Sequence, residues 1–398
     1  MYNLHLHKPT DINLDALAAI FETLHPQASK RPWVWAHPGA SNTFSVGTPF
    51  GFGLIRSSRK SRRRMIRRLL KDGLLPLPVR VNRVPFSTNG KGVLIRTKGN
   101  SSELVVLDSI TRTAVKVFKR ASSGEEQWIH ESRTLEHAQR AGYKTAPQYK
   151  GSGCTRCGNY VYVASAFDPE FRNPPRTEYG KTVARDVLPA IARDLGTCTP
   201  VEALPIRDYI RRLSRLLQTN GWSRHLADLC VQWVERALGE TGEDQNRTVH
   251  LVCIQNDLSR PNVLIGPMSD VRLIDWAFAV TRTPLYGLVQ ILGKRRLLQQ
   301  LIGDRSQVHG SDWPEHELRI LRELARGNTI APEDLPFLPV ASFCQMAQPN
   351  TIFDLASPAG FSASLVLAFV EHVAYTAASR AYEAGSASAK IAELLIQQ

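Results

Sequence analysis

The periodicity of apolar positions changes several times along the chain. Residues 14–24 place Leu14, Leu17, Ile20, Phe21 and Leu24 on one face of a helix; a stretch rich in Pro, Gly and aromatic residues (30–52) then reads as loop. From residue 92 the spacing becomes that of strands, with short apolar runs at 92–96, 103–107 and 113–119. A helix is predicted over 124–142, with Trp128, Ser132, Leu135 and Ala138 on one side, and two more strands at 148–153 and 159–167. After a polar stretch the pattern is helical at 183–195, 206–217 and 222–238, the last two broken by Asn220-Gly221. Three short apolar runs, 250–254, 263–265 and 271–274, then read as buried strands with polar residues at their ends. Helical spacing returns at 285–302, 315–326, 362–384 and 388–395, with 330–336 as a connection.

A β-rich block followed by a helix-rich one predicts an α+β chain. Composition leaves this in the ordinary globular class, with 43% hydrophobic and 22% charged residues over 398 positions. No apolar run approaches the roughly 18 residues that a membrane-spanning helix needs. The first residues lack the apolar block of a signal peptide. Six Cys over this length do not suggest a disulfide scaffold, so a reducing cytoplasm is expected. Cys154-Thr-Arg-Cys157 falls in the turn between two predicted strands. A zinc site wants about four ligands, and no second such pair exists, so an unligated turn is favoured over a metal or redox site.

Charge changes the picture at one place. The net charge is +14, and residues 1–90 hold 14 Lys and Arg against 4 Asp and Glu, so the rest is close to neutral. The segment from Arg56 to Arg68 carries eight basic residues in thirteen. Read as a helix, it sets Met65, Ile66, Leu69 and Leu70 in a narrow apolar strip against its arginines. That pattern fits a solvated helix or linker, or a strip lying peripherally on an anionic inner-membrane surface. Nucleic acid is disfavoured, because no nucleic-acid-binding motif accompanies the charge.

The candidate chemistry lies at the ends of the short strands. Asp257 is followed five positions on by Asn262, and thirteen after that by Asp275, each beside an apolar run. Polar residues there sit in loops held by a scaffold. Two carboxylates and a carboxamide suit phosphoryl transfer, one Asp accepting the proton of a hydroxyl while the Asn and the other Asp hold Mg²⁺. The plainer reading makes them a turn residue, a loop cap and a turn start.

The motif D-L-S-x-x-N-V-L from Asp257, with Leu273-Ile-Asp-Trp276, resembles the kinase-like phosphotransferases, in particular the aminoglycoside phosphotransferase and choline kinase group. Gln255-Asn256 stands where that group usually has His-Gly, and Gly287 where it usually has an Asp. The resemblance implies a two-lobed protein-kinase-like fold. A small antiparallel β lobe (91–167) and a larger helical lobe (168–398) would follow a basic N-terminal extension (1–90). It implies ATP and Mg²⁺ as cofactors, Asp257 as catalytic residue, and Asn262 and Asp275 as metal ligands. Ala114-Val-Lys-Val117 resembles the strand whose Lys meets the α- and β-phosphates, making Lys116 a nucleotide contact, with Lys119 as competitor. Its partner is expected on the following helix, at Glu131, or else Glu126 or Glu136. Gly99, between the first two strands, sits where a phosphate-covering loop belongs, though the local sequence is not G-x-G-x-x-G. The backbone from about Ala164 to Phe167 would hydrogen-bond adenine.

The acceptor implied is a hydroxyl of a small molecule or carbohydrate. The near-neutral helical lobe fits an aminoglycoside cation poorly. The basic first 90 residues, and the similarity of Lys116-Val-Phe-Lys-Arg120 plus its Glu-rich helix to lipopolysaccharide core kinases, suit an anionic sugar or lipopolysaccharide core. Two alternatives stay open: a protein-modifying kinase, and a nucleotide-binding pseudokinase that docks an anionic partner through residues 56–68.

Overall fold

Val115 and Val117 are buried and Lys116 between them is half-exposed, the alternation of a strand with one covered face. This strand, β6 (Thr113–Lys119), belongs to an antiparallel sheet with β1 (Trp33–Pro38), β2 (Thr43–Gly47), β3 (Leu77–Arg80), β4 (Val93–Thr97), β5 (Leu104–Asp108), β7 (Tyr149–Cys154) and β8 (Tyr160–Ala166). The strand order is β3-β1-β2-β4-β5-β6-β8-β7. The structure is a computed structural model and describes residues 16, 19, 20, 33–38, 43–47, 77–80, 93–97, 104–108, 111–241, 247–292, 315–335, 340–381 and 387–397. Gly99 and the basic segment 56–68 lie outside them, as does most of the helix expected at 14–24.

The stretch read from sequence as loop thus holds β1 and β2. Its Trp, Val and Phe favour strands, while Pro38 and Gly47 close the two strands rather than interrupt them. With β3, these strands make the first 90 residues contribute three members to the sheet.

The chain divides into two compact units, one of Met1–Glu136 and Pro147–Glu170, the other of His137–Ala146 and Phe171–Gln398. In the first, α1 (Ser123–Arg140) as far as Glu136 is tied to the sheet from Trp128 to Tyr162, from Glu131 to Lys116 and from Ser132 to Ser152. Glu125 and Glu126 favour its N-terminal end and Arg140 its C-terminal end by charge–dipole attraction. Gly142, at φ +86°, ends it, because the left-handed turn there suits a residue without Cβ.

The second unit is built around α8 (Pro358–Ala374), an apolar helix buried along almost its whole length. Ser357 caps it, its hydroxyl accepting the Gly360 N–H at 3.1 Å, and Pro358 starts it. Against it pack α3 (Ile206–Thr219), α4 (Arg224–Thr241), α5 (Tyr286–Leu292) and α9 (Ala387–Ile396), while α2 (Leu188–Thr197) packs on α7 (Val340–Ala347) and α6 (Glu315–Ala325) on α9. Trp233 of α4 stacks on Phe369 at 6.4 Å between ring centroids. At Gly196 the α7 backbone comes so close that a Cβ would lie 1.8 Å from the Met346 carbonyl oxygen, so only Gly fits. The expected helix at 285–302 is seen over Tyr286–Leu292; residues beyond it, to 314, are outside those described. The one expected at 362–384 starts earlier and ends at Ala374, where the chain turns before a short helix at Ala378–Ala381.

Among the helices run β9 (Glu202–Pro205), β10 (Thr248–Ile254) and β13 (Val280–Arg282), with β10 in the middle. A separate hairpin pairs β11 (Val263–Ile265) with β12 (Val271–Leu273). β10 ends at Ile254 and the hairpin starts at Val263, so residues 255–262 form one loop and 274–279 the next. No helix among the described residues is long and apolar enough to cross a membrane.

Candidate active site

The hairpin register pairs Val263 with Leu273, which places Asn262 and Ile274 side by side at its open end. The Ile274 N–H donates to the Asn262 carbonyl oxygen at 2.9 Å. Asn262 Nδ2 donates to Asp257 Oδ2 at 2.8 Å. Ser259 adds its N–H to Asp257 Oδ1 and its hydroxyl to Oδ2, both at 3.1 Å. The Asp257 carboxylate is therefore oriented by three donors from its own loop, the geometry of a turn Asp and of a positioned carboxylate alike. Asn262 is 8% exposed. Because its Nδ2 is committed to Asp257, the carbonyl end of its amide is the end suited to a cation.

Asp275 follows one residue after the Ile274–Asn262 link. Its backbone is left-handed (φ 66°, ψ 63°), a region that non-glycine residues enter at an energetic cost and that concentrates at functional loops. The next residue holds this conformation in place. Trp276 is 1% exposed, its Nε1 donates to the Leu273 carbonyl at 2.6 Å, and the Tyr143 ring meets it edge-on at 6.0 Å. Tyr143 in turn donates its hydroxyl to the Cys253 carbonyl at 2.6 Å.

The loop 255–262 is also gripped from the segment after residue 171. Asn173 Nδ2 lies within 3.0 Å of the Arg260, Pro261 and Val263 carbonyl oxygens. Arg260 Nη1 donates back to the Pro174 carbonyl at 3.1 Å. The buried Tyr179 hydroxyl donates to the Leu258 carbonyl, and burial together with the Asp257 charge pushes its phenol well above the ordinary range. Gln255, 4% exposed, fills the other side: Oε1 accepts the Asp257 N–H at 2.8 Å, and Nε2 reaches the carbonyls of Asp257 and Ile274 at 3.0 and 3.1 Å. Asn173 and Tyr179 have no signature in the sequence, since each acts on backbone groups set by tertiary structure; Gln255 shows there only as a departure from the resembled motif.

In the other unit Lys116 Nζ donates to Glu131 Oε1 at 2.7 Å, with the lysine side chain 23% and the glutamate side chain 4% exposed. Glu131 is placed by its helix: Trp128 Nε1 donates to the Tyr162 carbonyl at 2.9 Å, and the Ser132 and Ser152 hydroxyls meet at 2.7 Å. Glu126 and Glu136, the other candidates, are both exposed on α1. The backbone expected to receive adenine is different from the expectation in one respect. The Ala166 N–H is bonded to the Gln148 carbonyl and the Phe167 N–H to the Arg112 carbonyl, because β8 is paired to its end, so these two donors are already engaged.

Cys154 and Cys157 are exposed at the β7–β8 turn, and all six cysteines are free thiols. Among the described residues no group of three or more His, Cys, Asp or Glu is gathered as a metal cluster.

No protein-family model matches the chain, and no curated protein matches it. Several solved structures are similar. A thermostable mutant of the aminoglycoside phosphotransferase APH(4)-Ia, in ternary complex with AMP-PNP and hygromycin B, is 12% identical, with 76% of this chain and 93% of that chain covered, at a TM-score of 0.43. A choline/ethanolamine kinase family protein from Mesorhizobium loti is 14% identical over 76% and 91%, at 0.33. The choline kinase LicA from Streptococcus pneumoniae is 13% identical over 77% and 99%, at 0.34. At such identities and scores the chemistry has to be argued from the side chains themselves.

Proposed function

We propose that the chain is a phosphotransferase that moves the γ-phosphoryl group of ATP to a hydroxyl of a small molecule or carbohydrate. The observation that carries this reading is the linked pair of loops, with Asp257 hydrogen-bonded to Asn262 and Asn262 joined through Ile274 to Asp275. An amide oxygen and carboxylates are hard oxygen donors of the kind Mg²⁺ prefers, so the residues present fit that ion. When bound, Mg²⁺ would neutralise phosphate charge as the group transfers. Asn262 and Asp275 are the residues to hold it. Asp257, oriented by its three donors, is placed to align the acceptor hydroxyl and take its proton. Lys116, fixed by Glu131, offers a directed ammonium to the nucleotide phosphates. The protein's part is positioning and charge stabilisation, with no covalent intermediate.

The test is a screen with labelled ATP and Mg²⁺ against sugars, choline-like amines, aminoglycosides and lipopolysaccharide, run on wild type, Asp257→Asn and Lys116→Met. Loss of one oriented catalytic group is expected to lower turnover by at least about 100-fold, with melting curves near wild type for Asp257→Asn. A wild type that binds ATP yet turns over no faster than Asp257→Asn would make the chain a pseudokinase instead.

A further inference from the structure

Gln255 is a buried polar residue that takes no part in the proposed chemistry. It is 4% exposed and opens the Asp257 loop, and its partners lie in that loop and at the start of the next. Its Oε1 accepts the Asp257 N–H at 2.8 Å. Its Nε2 faces the Asp257 carbonyl at 3.0 Å, the Ile274 carbonyl at 3.1 Å and the Asp275 carbonyl at 3.4 Å. One planar amide therefore bonds the backbone of Asp257 on both its N–H and C=O sides and reaches the backbone of the residue that carries the second carboxylate. A primary amide is the neutral side chain that both donates twice and accepts, and this position uses both abilities. Across from it, Gly287 leaves open space, with nothing within 4 Å of where a Cβ would be. A cavity of about 20 Å³ is lined there by Gln255, Leu258, Trp276 and Gly287.

We propose that the Gln255 side chain is a positioning residue that sets the spacing between the Asp257 loop and the Asp275 loop. It touches neither reacting group. It acts through the two backbones, so that the carboxylates of Asp257 and Asp275 are held in mutual register before any ligand arrives. The chemistry of the substitutions discriminates. Gln255→Glu keeps the shape and the acceptor but sets a carboxylate against three carbonyl oxygens, and only its protonated form restores a donor. Gln255→Leu removes donor and acceptor together. Gly287→Ala fills open space without touching the amide.

The inference draws its activity assay from the phosphotransferase reading, so a second readout is independent of it. Native-state hydrogen exchange is followed at the Ile274 amide, whose own bond to the Asn262 carbonyl no substitution at 255 removes. Exchange there is expected to quicken about tenfold in Gln255→Glu and Gln255→Leu, the worth of one net hydrogen bond, and to stay at the wild-type rate in Gly287→Ala. In ATP turnover, both Gln255 variants are expected to lose about 10- to 100-fold in kcat, the usual effect of an outer-shell partner. The Mg²⁺ concentration for half-maximal rate should rise while KM for ATP stays nearly constant. Activity of Gln255→Glu relative to wild type should recover as pH is lowered and its carboxyl takes a proton, which a mere loss of fold would not give. An Ile274 exchange rate unchanged in both Gln255 variants overturns the inference, whether or not ATP is consumed. Absence of turnover in wild type with the quickened exchange intact would instead overturn the phosphotransferase reading alone.

Discussion

His372, on α8, gives a prediction whose size follows from its surroundings. Its Nδ1 is buried without a hydrogen-bond partner, and its ring lies 6.2 Å from that of Tyr286. Burial first, and the Arg282 charge second, lower its pKa from 6.5 to about 4. The neighbouring Glu371 is fully buried and committed to Tyr209 and Thr283. The imidazole is therefore neutral in the folded protein, while in the unfolded chain it takes a proton below pH 6.5. The unfolded state then binds more protons, so stability rises with pH and is lost as pH falls from 6.5 toward 4. A tenfold change in proton affinity corresponds to about 1.4 kcal/mol, so the full window is worth up to about 3 kcal/mol. Part of the residue reaches solvent, which makes this an upper bound. The perturbation is His372→Phe, which keeps a ring against Tyr286 and removes the titration. Urea unfolding followed by tryptophan fluorescence, at constant ionic strength from about pH 7.5 to about 4.5, spans that window and gives the stability of both proteins. Burial raises the Glu371 carboxyl, so its contribution is present on the acid side and falls as pH rises; being common to both proteins, it cancels in the difference. Wild-type stability minus variant stability should fall by about 1 kcal/mol for each step of one in pH below 6.5. A difference that stays flat across that range would refute the reasoning.

Other outcomes follow from the same packing. Trp276→Ala should lower unfolding stability by about 3–5 kcal/mol through the cavity it leaves, and Trp276→Phe by less, as measured by urea midpoints. Tyr209→Phe removes a donor from the buried Glu371 carboxylate and should lower stability by about 1.5–3 kcal/mol, with the loss smaller in acid, where that carboxyl is neutral. Aromatic disulfide reagents should label Cys154 and Cys157 quickly in the native protein. The buried Cys230 and Cys253, with thiols pushed up to about 12 by burial, should react only on unfolding.

The two carboxylates and the amide were legible because each sits at the end of a short apolar run, and the strands at 263–265 and 271–273 fell where those runs are. Their hairpin pairing then makes a spacing in sequence a neighbourhood in space. Lys116 and Glu131 were legible only through the resemblance of Ala114-Val-Lys-Val117 and the helix after it, which left Lys119, Glu126 and Glu136 open; the 2.7 Å contact selects the pair. What was not legible depends on partners far along the chain. Glu202–Pro205 carries no strand composition and is a strand only because β10 lies beside it. Helix α7 is too short for a period to declare itself. Gln255 reads in sequence as a departure from the resembled motif, and only the backbone of residues 19 and 20 positions later shows what its amide does.

The left-handed backbone at Asp275 means that aspartate is not the residue with which the chain would fold most readily at this position. Glycine would relieve about 1–2 kcal/mol of steric conflict while deleting the carboxylate. Asp275→Gly should thus melt at or above the wild-type temperature and yet, on the proposed phosphotransferase reading, be inert, and Asp275→Ala would confound the two effects by adding strain to the lost carboxylate. An engineer seeking a more robust version of this protein by thermal selection alone would be led, at this position, to a sturdier molecule without the carboxylate that the proposed chemistry needs.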